Sequence, residues 1–480
     1  LYNGDILLGS TTADSDGAFS ITSSILNKGS YSLTATATDN AGNTSTSSSV
    51  LLIEVNENLI TGDFVWAKLF GSSYGEEAYG ISIGNEGNIF LTGVTSGNLN
   101  GEINSGFEDI FLIKLDSNGD EIWTKLFGTN FDDKGYSVNL SKDGNIFLTG
   151  TTSGNLNGEI NSGFEDIFLI KLDSNGDEIW TKLFGTALSD IAWEGAIDEY
   201  IYLWGETHGD LNGEVNNSID NNEDAFLIKL DSNGNEIWTT LIGTELHEEA
   251  WDIAVANDKS VFLVGETQDS NPANNNDTDD ILVSKIDPQG NIVWSKSFGE
   301  KQKQDQAYSV DIGTEGNLYI SGITESDLNG QLVNGSSGSF LMKLDKDGNE
   351  IWTKIYGTAN RENAFDMGIR SDGYIYLTGM YDPNDKGFLK KLDLDGNEIW
   401  TKSFGNTNWD HYKNIYLEDN GSSIYISGET RGDLVNQISN GETDAILYKF
   451  SDPIRLTDFE ALNYIASNSD LISSIGIDIE

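Results

Sequence analysis

The chain has 480 residues, 37% of them apolar, and carries 78 acidic residues against 27 basic ones, a formal charge of −51. A field of that sign repels nucleic acid and anionic membrane and attracts cations. With no cysteine there is no disulfide framework, zinc–thiolate site or thiol nucleophile, and no run nears the roughly 18 apolar residues that a membrane helix needs.

Residues 1–57 read as strands split by turns, at Asp5–Leu8, Ala18–Ile21, Tyr31–Ala37 and Ser48–Val55. The stretch Thr36-Ala37-Thr38-Asp39-Asn40-Ala41-Gly42-Asn43-Thr44 resembles the closing strands of bacterial Ig-like domains. The early strands of that family are missing, so a partial Ig-like β-sandwich is expected and the chain reads as an excerpt of a longer protein.

From residue 60 to 452 a repeat dominates. Trp66, Trp123, Trp180, Trp238, Trp294, Trp352 and Trp400 recur at spacings of 48 to 58 residues. Each is followed five residues later by glycine (Gly71, Gly128, Gly185, Gly243, Gly299, Gly357, Gly405). A second glycine closes a short apolar run in every unit: Gly93, Gly150, Gly205, Gly265, Gly322, Gly379 and Gly428. Asn88–Thr129 and Asn145–Thr186 differ only at Val94 versus Thr151, the mark of a recent duplication. Within a unit the pattern is period-two, hence strand. In the second unit the strands fall at Tyr136–Leu140, Asn145–Thr151, Ile167–Asp173 and Glu178–Phe184. Four antiparallel strands repeated seven times predict an all-β, seven-bladed β-propeller of four-stranded blades; a linear β-array is the alternative.

The connection Asp116-Ser117-Asn118-Gly119-Asp120-Glu121 centres Asn-Gly, which predicts a two-residue type I′ hairpin. That register pairs Asp116 with Glu121, Leu115 with Ile122 and Lys114 with Trp123. The same turns mimic the start of an EF-hand, whose twelfth position needs a bidentate glutamate. Counting from Asp116, Asp173, Asp345 and Asp393, that position holds Phe127, Phe184, Tyr356 and Phe404, so the turns are not calcium loops.

The phrase running from Asp109 to Gly128, and again from Asp166 to Gly185, resembles the bacterial SBBP-type β-propeller repeat. The resemblance implies an extracellular or cell-surface propeller without an assigned reaction. The seventh unit ends after Asp444–Phe450 with no tryptophan strand behind it, whereas an orphan copy, Phe64–Phe70, precedes the first. Pairing the two closes the ring and hides both edges.

Strand alternation then sorts the loops onto two rims. One carries short uniform turns. The other carries the long acidic segments Thr95–Asp109, Thr152–Asp166, Thr207–Asp224 and Thr267–Asp280. Carboxylates there, Glu76, Glu77, Glu108, Asp109, Asp132, Asp133, Glu165 and Asp166, are the candidate metal ligands, with calcium the one cofactor they would take. The seven tryptophans are read as structural, packed between neighbouring blades, with Trp123 and Trp180 expected almost wholly buried. The repeated lysines (Lys114, Lys171, Lys229, Lys285, Lys343, Lys391, Lys449) are read as stacking on the following tryptophan. His208, His247 and His411 lie in three units and are read as scattered solvated side chains, with no catalytic grouping.

Residues 454–480 switch to helical spacing, Thr457 and Glu460 forming a capping box. This tail resembles a short helical repeat of large secreted bacterial proteins. The expected function is a non-catalytic scaffold or adhesion module of such a protein, monomeric as a fragment. The alternative is a propeller that binds an extracellular glycan or protein, assisted by calcium. A quinone-dependent dehydrogenase is a remote alternative, because that family would bring eight blades and a substrate base.

Overall fold

The computed structural model describes residues 62–452 apart from 198, 219–221, 269–277, 301–302, 334–335, 358–360, 382–385, 406–409, 419–422, 435–436 and 440, together with residues 2–3, 6–7, 29–38, 44–45, 47 and 51–55. The chain divides into two units, residues 62–451 and the two flanks. In the N-terminal flank Tyr2–Asn3, Ile6–Leu7, Gly29–Thr34 and Leu51–Val55 form one four-stranded antiparallel sheet. The expected strand at Ala18–Ile21 and the expected helical tail at 454–480 lie outside the described residues. Among the described residues no helix is long and apolar enough to cross a membrane.

Residues 62–451 build seven four-stranded antiparallel blades, their strands called a to d from the axis outward. Blade 1 is Glu76–Ile83, Ile89–Thr95, Asp109–Leu115 and Glu121–Phe127. Blade 2 is Asp133–Leu140, Ile146–Thr152, Asp166–Leu172 and Glu178–Phe184. Blade 3 is Asp190–Ile197, Ile201–Thr207, Asp224–Leu230 and Glu236–Ile242. Blade 4 is Glu248–Val255, Val261–Gln268, Asp279–Ile286 and Ile292–Phe298. Blade 5 is Asp305–Ile312, Leu318–Thr324, Gly338–Leu344 and Glu350–Tyr356. Blade 6 is Glu362–Arg370, Tyr374–Tyr381, Lys386–Leu392 and Glu398–Phe404. Blade 7 joins Asp410–Leu417, Ser423–Thr430 and Asp444–Ser451 to the N-terminal Asp63–Phe70 as its strand d, with Lys449 opposite Trp66.

The core is layered between blades. Strand b is buried along its whole length in blades 1, 2, 3 and 5, so both faces are apolar and each fills one of seven inter-blade clusters. Phe90, Ile110 and Leu112 of blade 1, for example, pack on Val138, Leu148 and Phe168 of blade 2.

Most of the repeated glycines are steric necessities. Strand a carries a bulge after its third residue, as between Gly135 and Ser137. The bulge aims a carbonyl at strand b, and a Cβ on Gly93, Gly150, Gly205, Gly265, Gly322, Gly379 or Gly428 would run into it. In five blades the glycine five residues after the tryptophan faces an aspartate at the start of strand c: Gly128 meets Asp109, Gly185 meets Asp166, Gly243 meets Asp224, Gly299 meets Asp280 and Gly71 meets Asp444.

The turn between strands c and d is not the expected type I′ hairpin. Only Gly119 of the Asn-Gly pair has positive φ, at 78°. Asp116 N–H donates to Asp120 O at 2.8 Å and Gly119 N–H to Asp116 O at 2.9 Å. This is the longer hairpin loop that ends in a left-handed glycine and a bulge. Lys114 does face Trp123, but Leu115 pairs with Glu121 rather than Ile122, and Asp116 leaves the ladder. The Asp116 carboxylate explains the choice, because it accepts from Asn118 N–H at 2.8 Å and Asp120 N–H at 2.9 Å. A two-residue turn could not use those bonds.

Each tryptophan lies against the turn glycine of the next blade: Trp66 on Gly119, Trp123 on Gly176, Trp180 on Gly234, Trp238 on Gly290, Trp294 on Gly348 and Trp352 on Gly396. Trp400 meets Gly62, at the foot of the strand that completes blade 7. Trp123 and Trp180 are half-buried rather than wholly buried, as are four others; Trp400 alone is buried. The indole lies on the outermost strand, where one face covers a neighbour and the rest meets water. Two residues on, Lys68 pairs with Asp120 at 2.8 Å and Lys125 with Asp177 at 2.7 Å, adding a polar latch to the same joint. The repeated lysines stack chiefly on the strand-b aromatic ring, not the tryptophan. Lys114 Nζ lies 5.2 Å from Phe90 and 5.9 Å from Trp123, and Lys343 Nζ lies 4.8 Å from Tyr319.

Candidate functional site at the mouth of the central channel

Strand a sets the lining of the channel. Its fourth residue, beside the bulge, points at the axis, and in six blades it is aromatic. Tyr79, Tyr136, Trp193, Trp251, Tyr308 and Phe365 contact in sequence, with ring centroids 5.0 to 5.8 Å apart. Blade 7 closes this collar with His411, 5.0 Å from Phe365, and Lys413, whose Nζ lies 3.8 Å from the Tyr79 ring. Lys413 also pairs with Glu77 at 2.8 Å and Glu429 at 3.0 Å.

On one side of the collar Asp252 and Asp366 face Ser309, whose hydroxyl lies 3.1 and 2.9 Å from their oxygens. Val310 N–H donates to Asp252 and Ile415 N–H to Asp366, at 2.8 and 2.7 Å. These bonds tie strand a of one blade to the next. Burial raises Asp366 to about 7 and lifts Asp252 and Glu194 well above the carboxylate range, the Asp366 charge adding to the shift of Asp252 and the charges of Asp252 and Asp366 to that of Glu194.

On the other side, at the long-loop rim, blades 3 to 5 gather a cluster of ionisable groups. His208 follows strand b of blade 3, Glu223 precedes strand c of that blade, and His247 precedes strand a of blade 4. His208 Nε2 reaches Glu223 Oε1 at 3.0 Å and His247 Nδ1 reaches Glu223 Oε2 at 2.7 Å. The two imidazoles thus share one carboxylate, which they hold far below the carboxylate range. His247 Nε2 faces Glu266 Oε1 at 3.6 Å. The Glu223 carboxylate bonded to it, and then the nearby Glu266 carboxylate, raise His247 to about 10. Burial, then Glu206 and Glu266, push Glu249 far above its ordinary value. The Glu266 carboxylate also accepts from Gln306 Nε2, and Gln306 Oε1 accepts from Tyr308 at 2.6 Å.

The histidines expected to be scattered are therefore brought together in part. Two share this cluster, and His411 lies 3.5 Å from Glu429. Among the described residues, one group of three His, Asp or Glu side chains places its ligand atoms within 4.8 Å of one another: His247, Glu249 and Glu266.

None of these belongs to the eight candidate metal ligands read from sequence. Of those eight, Glu76, Asp109, Asp133 and Asp166 are fully buried at strand starts. Glu76 accepts from Ser72 N–H, Ser72 Oγ and Thr95 Oγ1 at 2.6 to 2.7 Å. Asp133 accepts from Thr129 N–H at 2.5 Å and from the Thr152 hydroxyl. Asp109 and Asp166 accept from Ser105 N–H and Ser162 N–H at 2.6 and 2.7 Å. Glu77 takes the Tyr79 hydroxyl and Lys413, while Glu108 pairs with Lys134 at 3.4 Å. Asp132 and Glu165 sit on the rim, where the backbone of Glu108 bridges to Asp132 and that of Glu165 to Ser189.

Two family models match parts of the chain. Residues 1–56 match a bacterial Ig-like domain and residues 122–157 match the SBBP beta-propeller repeat. The regulatory protein FlaEY of Caulobacter vibrioides is 27% identical over 168 residues, which are 32% of this chain and 18% of that protein. The chain therefore spans less than a fifth of the curated relative it matches. Among solved structures, a virginiamycin B lyase from Staphylococcus aureus aligns over 80% of this chain and 99% of its own, at 11% identity and TM-score 0.44. The polysaccharide lyase Uly1 aligns over 79% and 90%, at 12% identity and TM-score 0.48. What this chain shares with known proteins is thus the beta-propeller repeat and an Ig-like segment.

Proposed function

We propose that this chain is a non-catalytic scaffold or adhesion module of a large secreted bacterial surface protein, presenting the long-loop rim of its propeller to a partner. The observation that carries this reading is where the repeated residues go. Tryptophans, glycines and strand-start aspartates are engaged in holding blades together, which leaves the rim loops as the part available to a partner. The Ig-like and beta-propeller repeat matches support a modular binding protein. An extracellular glycan or protein is the expected partner, and the cell surface the expected location. Glycan-array and bacterial-surface binding by the purified propeller tests it, alongside a variant with 96–107 and 153–164 replaced by Gly-Ser. Binding lost in the variant supports the rim. Equal binding by both overturns it.

A calcium-assisted version draws on the charge of −51 and the rim carboxylates Glu108, Asp132 and Glu165, with Glu77 inside the mouth. A melt with millimolar calcium and then chelator separates the two. An upward shift of several degrees that is lost in the combined Glu77→Gln, Glu108→Gln, Asp132→Asn and Glu165→Gln variant supports calcium there. The same shift in both proteins would reject those ligands.

A further inference from the structure

We propose that His247, Glu249 and Glu266, at the channel mouth between blades 3 and 4, bind a divalent first-row transition metal of the zinc or manganese kind. The inference does not depend on the adhesion reading and uses none of the rim carboxylates offered for calcium.

The three ligand atoms already lie within 4.8 Å of one another, so small side-chain shifts bring them onto bonds of about 2.0–2.2 Å to a shared ion. The imidazole is aimed for it. His247 Nδ1 donates to Glu223, and Nε2 is left facing Glu266 Oε1 at 3.6 Å, too long for a good hydrogen bond. Carboxylate–histidine pairs of this kind fix the tautomer and orientation of metal-bound histidines. Glu223 is itself held by His208, whose Nδ1 lies 3.2 Å from Ser189 O. Glu266 is oriented in the same way, by Gln306 and through it Tyr308.

A second observation points to a cation site here. Glu206, 6% exposed, lies beside Glu249, and its Oε2 has no hydrogen-bond partner. Glu206, Glu249 and Glu266 thus converge on one imidazole, and among the described residues no lysine or arginine is paired with any of them. An ion would satisfy the free oxygen and relieve the repulsion. The nitrogen ligand selects the metal class, since calcium and magnesium favour all-oxygen sites while imidazole with carboxylate suits zinc, manganese and their neighbours.

The test is calorimetric titration of chelator-stripped protein with Zn2+ and with Mn2+, in millimolar calcium to occupy diffuse acidic sites, with elemental analysis after desalting. One equivalent bound at a Kd below about 1 μM is expected for at least one of the two. His247→Ala and Glu266→Gln should weaken it at least about 100-fold, and Glu223→Gln about 10–100-fold, with melting curves verifying that each variant folds. Glu165→Gln on the rim should bind as the parent does. Absence of a saturable site for either metal, displacement by calcium, or unchanged affinity in folded His247→Ala would each overturn the proposal.

Discussion

Asp109 shows what a repeated acid at a blade junction does. One of its oxygens accepts from Ser105 N–H at 2.6 Å, the other has no partner, and the residue is fully buried. Burial, with the Asp133 charge across the junction, raises it from 3.8 to about 6. The folded state therefore holds the proton more tightly than the unfolded chain. Its stabilising contribution is complete below pH 3.8 and is lost as pH rises through 6. Asp109→Asn keeps the shape without the charge, so it should be more stable than the parent at pH 7.5 by about 1–2 kcal/mol. The gap should close between pH 6 and 4, and denaturant melts at both ends of that range measure it. A gap independent of pH, or a loss at pH 7.5, refutes this account. The fifth junction shows the alternative solution: Gly338 replaces the aspartate, and Glu362 instead pairs with buried Lys390 at 3.0 Å. That a strand start repeats an acid was visible in the sequence; that it is buried was not, because an Asp or Glu beside a loop ordinarily reads as solvated. The His208–Glu223–His247 grouping was missed for a related reason. The three are far apart in sequence and meet only when residues after strand b, before strand c and before the next strand a are superposed on the rim.

At the level of the strand, the seven-fold repeat was legible because period-two patterning and tryptophan spacing survive any error in local register. The turn was not. Asn-Gly suits a two-residue hairpin and also a longer loop with glycine left-handed, and Asp116 decides between them by capping Asn118 and Asp120. The tryptophan expectation failed in degree. An indole on strand d covers the neighbouring turn with one face only, so the full 3–5 kcal/mol of a buried aromatic truncation is not available. Trp123→Ala should cost about 2 kcal/mol, measured by denaturant unfolding. A cost above about 4 kcal/mol would restore complete burial, and one below about 0.5 kcal/mol would make the joint at Gly176 incidental. Gly176 has φ of 79° and lies 2.9 Å, at its Cβ position, from the Trp123 ring. Strand d and the next turn are therefore fitted to each other rather than merely adjacent.

For the whole molecule the decisive joint is blade 7, the only blade built from both ends of the propeller. Asp63–Phe70 pairs along Asp444–Ser451, opposite residues running from Ala445 with Phe70 to Ser451 with Asp63. The same strand supplies Trp66 to Gly119 and Lys68 to Asp120, so it joins blade 7 to blade 1 as well. Strand a of blade 7 makes an independent contact through Lys413 and Glu77, which holds the axis but cannot cover the outer edge. Removing residues 63–70 should leave Asp444–Ser451 as an unpaired edge next to a blade interface lacking its indole. Edges of that kind recruit another chain. Light scattering after size exclusion should show the full chain as a monomer and the truncated chain as dimers or larger species. A synthetic peptide of residues 63–70 should add back as a strand and restore the monomer, whereas a peptide with Trp66 and Lys68 changed to alanine should do so more weakly. A truncated chain that stays monomeric with an unchanged melting temperature would mean that the inter-blade clusters close the ring by themselves, and that the N-terminal strand only decorates it.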